Sequence, residues 1–314
     1  MALHTTGSIP NTTLYNAKHW DGFHTDAEKK YAQASFLDKV FKKVNSDLMF
    51  YREKSQPGVS AFTQIAEHAL HPEETIFPGH TVEIQIKEFG KVFSASKLVL
   101  DKTPNRYNIW RKYAFMFRKA YNETQAIEGA SKINNIYTTT GADGEYIIDN
   151  DHPLDGSSDT WSNELSGNGS LSVTNLESAL INMWYPPNQR DLTLEIVPAV
   201  LLVGKELAPL AWKIVEKGLM PLTSDNTKNV MMDKMPLEVV VCPWKTSSTA
   251  WELVQKVDEY TPHPLLFWDD KPLDTYVTIL DERSKGEEYH GYGRCVAGYG
   301  ADSRGIYGSD GTGS

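Results

Sequence analysis

The chain has 314 residues, 40% hydrophobic and 23% charged, a balance that excludes disordered, collagen-like and coiled-coil architectures and allows one large or two modest domains. Its formal net charge of −10 argues against a surface that grips nucleic acid through phosphates, because such a surface needs clustered Lys and Arg. Two cysteines, Cys242 and Cys295, are too few for a disulfide framework or a zinc site and suit a reducing compartment; no targeting leader is read, and the strongest apolar run, Ile196 to Val203, is too short to span a bilayer.

Charge is unevenly spread. Residues 1–135 hold 18 Lys+Arg against 14 Asp+Glu, and the remainder holds 13 against 27, so one half is net +4 and the other net −14. Such asymmetry favours packing of one copy's N-terminal half against another's C-terminal half, although two solvated surfaces can also simply differ.

The first two dozen residues carry Gly7, Pro10 and several Thr and Asn, and read as an arm. Thr25-Asp26-Ala27-Glu28 fits a capping box, and Leu37, Val40, Phe41, Val44 and Leu48 follow at helical spacing, which predicts a helix from Asp26 to Leu48. From Pro57 to Leu100 the pattern turns to an extended ribbon bent at Pro72, Pro78 and Gly79. There Val82, Ile84 and Ile86 alternate with Glu83, Gln85 and Lys87. A lone two-stranded ribbon is marginal in water, so its apolar face around Phe77, Ile84, Ile86 and Phe93 is expected to wait for a neighbouring copy of the chain.

Thr103-Pro104 opens a long helix running to about residue 134. Ile109, Trp110, Tyr113, Met116, Phe117, Ala120, Tyr121 and Ile127 form one arc; Arg111, Lys112, Arg118 and Lys119 form the other, with Phe115 among them, either a contact to another subunit or, more commonly for a single aromatic, an ordinary surface residue. A short strand is expected at Glu145–Ile148, then a polar loop holding Trp161. A second capping box, Thr174-Asn175-Leu176-Glu177, opens a helix carrying Leu180, Met183 and Trp184. Leu192–Val203 reads as a strand, Ala208–Lys217 as a helix closed by Gly218, and Leu237–Cys242, Pro264–Trp268, Tyr276–Leu280 and Tyr289–Ala297 as strands. Segregated helices and scattered strands indicate α+β, without internal repeats.

The best enzymatic candidate is Asp149-Asn150-Asp151-His152, near Asp155 and Asp159, where carboxylates and an imidazole could bind a metal or exchange protons. It fails as a calcium loop, since Pro153 takes the third position counted from Asp151 and no Glu closes the set. The better reading is that His152-Pro153 ends a strand, with Asp and Asn side chains bonding local amides in turns. G-x-S-x-G, the P-loop signature and H-E-x-x-H are all missing, and Gly291-Tyr292-Gly293 with Gly298-Tyr299-Gly300 does not complete a dinucleotide fingerprint. His4, His19, His24, His68, His71, His80, His263 and His290 share no ligand spacing. No catalytic, cofactor or metal residue is assigned.

Asp143-Gly144-Glu145-Tyr146-Ile147-Ile148 with Asp151-His152-Pro153, then Trp161-Ser162-Asn163, occur in order with Leu194-Glu195-Ile196-Val197-Pro198 and Leu237-Glu238-Val239-Val240-Val241 followed by Trp251. With the closing Gly291-Tyr292-Gly293 to Gly308, and with the extended loop and long helix before them, these fragments resemble the major head subunit of Mu-like and related tailed phages. The resemblance covers most of the chain after about residue 25. It implies the HK-type α+β major capsid fold of tailed phages and herpesviruses. In that fold 1–56 would be N-terminal arm and helix, 57–100 the extended loop over an adjacent subunit, and 101–174 a peripheral domain whose spine helix is 104–134. Residues 175–275 would form the axial domain, and 276–314 the returning peripheral strands and tail.

The function so implied is a structural protein without cofactor, assembling with itself as pentamers and hexamers into an icosahedral shell around double-stranded DNA, without sequence-specific binding and without a membrane. Portal and scaffolding proteins, and a decoration protein, are the other partners implied; the chain would be part of the virion, assembled in the bacterial host cytoplasm. Lys87, Lys91 and Lys97 on the ribbon read as ordinary surface lysines rather than as cross-linking groups. The expected interface residues are Phe77, Ile84, Ile86, Phe93, Arg111, Phe115 and Arg118. The rival readings are a hydrolase or metal-dependent enzyme centred on Asp149, Asp151 and His152, and a virion decoration or tail protein.

Overall fold

The computed structural model describes residues 35–55, 58, 60–67, 70–71, 73, 79–96, 106–154, 159–190, 192–215, 236–258, 262–279 and 286–313. The N-terminal arm, the capping box at Thr25–Glu28, Phe77, Pro72, Pro78, the Thr103-Pro104 start and Gly218 lie outside them.

Four helices are described: α1 (Ser35–Val40), α2 (Arg106–Asn134), α3 (Val173–Trp184) and α4 (Ala208–Val215). The strands are β1 (Lys42–Val44), β2 (Phe50–Lys54), β3 (Thr81–Gln85), β4 (Lys87–Ser96), β5 (His152–Pro153), β6 (Thr160–Trp161), β7 (Pro198–Val203), β8 (Glu238–Val241), β9 (Trp251–Gln255), β10 (Leu265–Ile279), β11 (Gly286–Tyr299) and β12 (Ile306–Ser309). One four-stranded sheet runs β1-β10-β11-β4, with β1 parallel to β10 and the other pairs antiparallel. A second runs β12-β9-β7-β8, with β7 and β8 parallel.

The period-two alternation of strands decides what covers each face. In the second sheet Leu201, Val203, Trp251, Leu253 and Tyr307 pack under α3 and α4, whereas Val200, Leu202, Val254 and Ile306 join α1 and the C-terminal half of α2. That second cluster also takes in Leu265, Phe267, Cys295 and Ala297 of the first sheet, so α1 and the end of α2 lie in the core shared by both sheets. The opposite face of the first sheet, Leu266, Trp268 and Val296, is covered by the β2–β3 pair through Ile84, with Tyr51, Val82 and Ile86 beside it.

Several expected elements change under this packing. The helix expected over Asp26–Leu48 stops at Val40, because Lys42–Val44 pairs with Leu266–Trp268 and extends the sheet instead. Phe36, Leu37, Val40 and Phe41 stay buried, but Leu48 is exposed beyond a turn in which the Ser46 hydroxyl accepts from the Leu48 amide and donates to the Phe50 carbonyl. Among the described residues the strands of the ribbon pair elsewhere, β3 with β2 and β4 with β11.

Corrections continue along the chain. On α2 the buried face is Phe117, Tyr121, Ala126, Ala130 and Ile133, while Tyr113, Met116 and Ile127 are exposed, Met116 at 61%. The helix turns its face this way because Gly291 and Gly293 open room in β11 for two rings: a Cβ at Gly291 would stand 2.6 Å from Phe117, and one at Gly293 2.5 Å from the Tyr121 hydroxyl. The strand expected at Glu145–Ile148 is a tight reversal, with a Thr140–Tyr146 bridge and the Gly141 amide donating to the Glu145 carbonyl. The cap of α3 is Ser172, whose side chain accepts from the Asn175 amide; Thr174 is already the second residue of the helix, past the capping position.

The strand expected over Leu192–Val203 begins only at Pro198, because the Leu194 and Ile196 amides are taken by the Pro186 and Trp184 carbonyls. The strands expected at Pro264–Trp268 and Tyr276–Leu280 fall, over Leu265–Trp268 and Tyr276–Ile279, on one long strand, β10, interrupted by register shifts between Asp269 and Asp274 where Pro272 falls. Within α4, Ala208, Ala211 and Ile214 are buried as the helical spacing requires.

Candidate functional site: the His152 cluster and the exposed loop

The enzymatic candidate is a buried structural network. His152 begins β5, and its ring is fully buried and stacked on Trp161 of β6 at 4.5 Å between centroids and 18° between planes. Its Nδ1 lies 2.6 Å from Asp143 Oδ2, and its Nε2 lies 3.0 Å from Asn163 Oδ1. Three backbone contacts orient the Asn163 amide. Its Nδ2 donates to the Ile147 carbonyl at 2.8 Å and the Ser303 carbonyl at 3.3 Å, while its Oδ1 accepts from the Asp149 amide at 2.8 Å.

Both imidazole nitrogens are therefore committed to internal oxygens, which leaves neither in reach of a substrate proton. Burial pushes the Asp143 carboxyl up, but the hydrogen bond and charge of His152, with the amides of Asp143 and Glu145, outweigh it and hold the group below the usual carboxylate range. On the other side of the cluster the Arg304 guanidinium lies 4.9 Å from the Trp161 ring centroid. Its Nε donates to the Pro187 carbonyl at 2.6 Å and its Nη1 to Asp302 Oδ1 at 2.9 Å.

The remaining candidates of this segment do not converge on a reacting centre. Asp149 accepts from the amides of Asn150 at 2.7 Å and Tyr146 at 3.4 Å, Asp151 is exposed, and Asp155 lies outside the described residues. Among the described residues no group of three His, Cys, Asp or Glu side chains is placed to hold a metal ion, and no helix is long and apolar enough to cross a membrane. Burial raises both thiols, Cys295 to about 12, so neither is a ready nucleophile.

The expected interface residues divide. The apolar faces of Ile84, Ile86 and Phe93 have cover within one copy. Ile84 is 8% exposed over Leu266, Trp268 and Val296, Ile86 packs beside it, and Phe93 stacks on Tyr289 at 4.8 Å and against Phe117 at 5.4 Å. The alternation that made the ribbon look unpartnered is satisfied by strands more than 160 residues downstream, a distance over which spacing carries no signal. Phe115 and Arg118 are half-buried on α2, and Arg111 lies on the same helix.

Two apolar surfaces escaped the sequence reading. Phe62 and Leu70 are fully exposed in the connection between β2 and β3, and Ile65 lies partly exposed between them. Tyr113, Met116 and Ile127 form an exposed stripe along α2, beside a groove lined by Phe89, Phe117, Ala120, Tyr121 and Leu273. The base of the loop is fastened: the Ser55 amide donates to the His80 carbonyl at 2.8 Å, and the His80 amide to Ser55 Oγ at 2.8 Å.

The model of the family described as phage capsid protein matches residues 80–309. The chain belongs to the phage capsid protein family. This capsid protein also shares its fold with known particles. The mature capsid of bacteriophage PhiM1 is 9% identical, with a TM-score of 0.54 over 88% of this chain and 86% of that one. The capsid of Myoviridae phage XM1 is 13% identical, with a TM-score of 0.52 over 89% and 92%. The holo-SrpI encapsulin complex of Synechococcus elongatus PCC 7942 is 11% identical, with a TM-score of 0.50 over 91% and 94%. Compared with curated protein sequences, the capsid protein matches none. The fold is thus the tailed-phage major capsid fold in α+β form, and because encapsulins share it, the family match rather than the fold points to a phage head.

Proposed function

We propose that this capsid protein is the major head subunit of a tailed phage, assembling without enzymatic activity into a closed icosahedral shell around double-stranded DNA. The observation that carries this reading is the family match over residues 80–309. The exposed chemistry agrees with it. A chain that bears a projecting apolar loop at Phe62 and Leu70 and a separate apolar stripe at Tyr113, Met116 and Ile127 has two unlike surfaces, and unlike surfaces that meet head to tail generate rings and closed arrays. In this reading the loop lies over the α2 stripe of the adjacent copy. Phe115, Arg118 and Arg111 flank that contact, and Phe77 contributes from the loop.

Each such contact need only be modest, because a closed shell multiplies many weak interfaces. The net charge of −10 keeps the wall from gripping DNA tightly, which suits a container rather than a packaging protein. In the axial role assigned to residues 175–275, α3 and α4 with the second sheet would meet their copies around five-fold and six-fold positions. A portal and a separate scaffolding protein complete the proposed assembly in the host cytoplasm, with a decoration protein as a further partner.

Sedimentation and negative-stain imaging of the expressed chain test the proposal. Closed shells in the preparation, lost when Phe62 and Leu70 are both replaced by Ser in a variant that still folds, support it. Small defined oligomers or tubes would instead identify a decoration or tail protein.

A further inference from the structure

Between the end of α2 and the second sheet lies a polar joint inside the shared core. The side chains of Lys245 and Glu252 are 2% and 0% exposed, and Lys245 Nζ donates to Glu252 Oε2. Tyr137, just beyond α2, donates its hydroxyl to Glu252 Oε1 at 3.3 Å. Asn134, the last residue of α2, grips the same segment from outside: its Nδ2 donates to the Trp244 carbonyl at 3.0 Å, and its Oδ1 accepts from the Thr246 amide at 2.9 Å. Gly308 on β12 leaves the space for this, since a Cβ there would stand 2.7 Å from the Tyr137 hydroxyl.

Stability alone does not account for such a joint. Burying an ion pair carries a desolvation cost of several kcal/mol per ion, and well-packed apolar residues of the same volume often serve as well or better. What the pair supplies is direction. Apolar surfaces tolerate a range of sliding and rotation between a helix and a sheet, whereas three hydrogen bonds reaching from the end of α2 to one strand and one loop, which the ion pair ties to each other, are satisfied together in a single orientation.

We propose that Lys245, Glu252, Tyr137 and Asn134 form an orienting joint that fixes the angle between α2 and the β12-β9-β7-β8 sheet, so that every copy presents its two halves at one angle and shells close at one size. The link to shell size rests on the shell-forming reading above; the rigidity of the joint does not. Curvature follows from the angle between contact surfaces on a subunit. A joint that holds this angle narrows the distribution of particle diameters, and one that yields broadens it.

Two variants test the proposal. Lys245→Met with Glu252→Leu removes the pair at similar volume, and Asn134→Ala with Tyr137→Phe removes the three contacts from α2 while keeping the pair. Hydrogen exchange over 134–137 and 242–252, unfolding by urea, and particle diameters in negative stain are measured for both and for the unaltered protein. In either folded variant, exchange across the joint is expected to quicken about tenfold, the effect of losing one ordinary hydrogen-bonded tie. Unfolding of the first variant should stay near that of the unaltered protein, while diameters spread from one class to several.

Unchanged exchange in both variants overturns the joint. Quickened exchange with a single diameter class overturns its role in shell size. Should the first variant not fold, the second decides by the same two readouts. If the unaltered protein forms no shells at all, the shell-forming reading fails and the exchange data alone judge the joint.

Discussion

Ile84 on β3 lies directly over Gly298 on β11: a Cβ on Gly298 would stand 2.8 Å from Ile84 Cγ1 and overlap its Cδ1. The contact ties the base of the projecting loop to the first sheet, and it works only because one partner has no side chain. Gly298→Ala is expected to destabilise the chain by about 1–3 kcal/mol through overpacking. Ile84→Val in the same chain should recover part of that loss, so a double-mutant cycle in urea should give a coupling of about 0.5 kcal/mol or more. Additive effects would place the two residues apart.

Asp143 is held below the ordinary carboxylate range by His152 despite its burial. The sign follows: a depressed folded pKa contributes stability above the unfolded value, lost as pH falls through the folded one. Asp143→Asn should cost about 1–3 kcal/mol at neutral pH by stripping charge from the hydrogen bond to His152. The difference from the unaltered protein should shrink below pH 3.8, the ordinary value, in urea unfolding curves. Particle assembly should survive Ala at Asp149 and Asp151, neither of which is bonded to the His152 ring.

His263 is buried, and burial lowers its pKa from 6.5 to about 4. Here the unfolded chain takes up the proton first. Stability is therefore full above pH 6.5 and falls as pH drops towards 4, by on the order of 3 kcal/mol when complete, from 1.36 kcal/mol per pKa unit. His263→Gln should flatten this acid slope. An unaltered slope would mean that the loss comes from other groups.

Native thiols should be silent. With Cys295 pushed up to about 12 and Cys242 also raised, both buried, almost no thiolate exists at neutral pH. A thiol reagent should label neither residue in the folded protein and both in denaturant. Rapid native labelling at either would refute the packing described.

Ser172→Ala should cost about 1 kcal/mol, the usual loss of an N-cap, whereas Thr174→Ala should change stability by a few tenths at most. Thermal unfolding of the two variants separates the cap observed from the one that the T-x-x-E pattern predicts. Both patterns satisfy local rules. Only Ser172 has the extended backbone that turns its hydroxyl towards the Asn175 amide.

Local periodicity carried the elements whose partners hardly matter. The apolar spacing of Ala208, Ala211 and Ile214, and of Leu176, Leu180 and Met183, specifies helices whichever sheet they cover. Alternation marked Thr81–Gln85 as a strand, and the order of weak motifs from Asp143 to Gly308 marked the family. The His152 segment was visible too, but not its meaning, because whether Asp and His side chains meet a substrate or one another depends on Trp161, Asn163 and Arg304.

Partnership was decided by the tertiary structure. Val44 became strand rather than helix because Trp268 lay alongside with free ladder groups, and Ile84, Ile86 and Phe93 found cover on β10, β11 and α2. The apolar face of a strand records that it will be buried, not by what. Hydrophobic burial is non-directional, so the sequence by itself determined which surfaces must leave water and which elements carry them, while the fold alone decided which of them are covered within one copy and which, as at Phe62 and Met116, stay exposed on it.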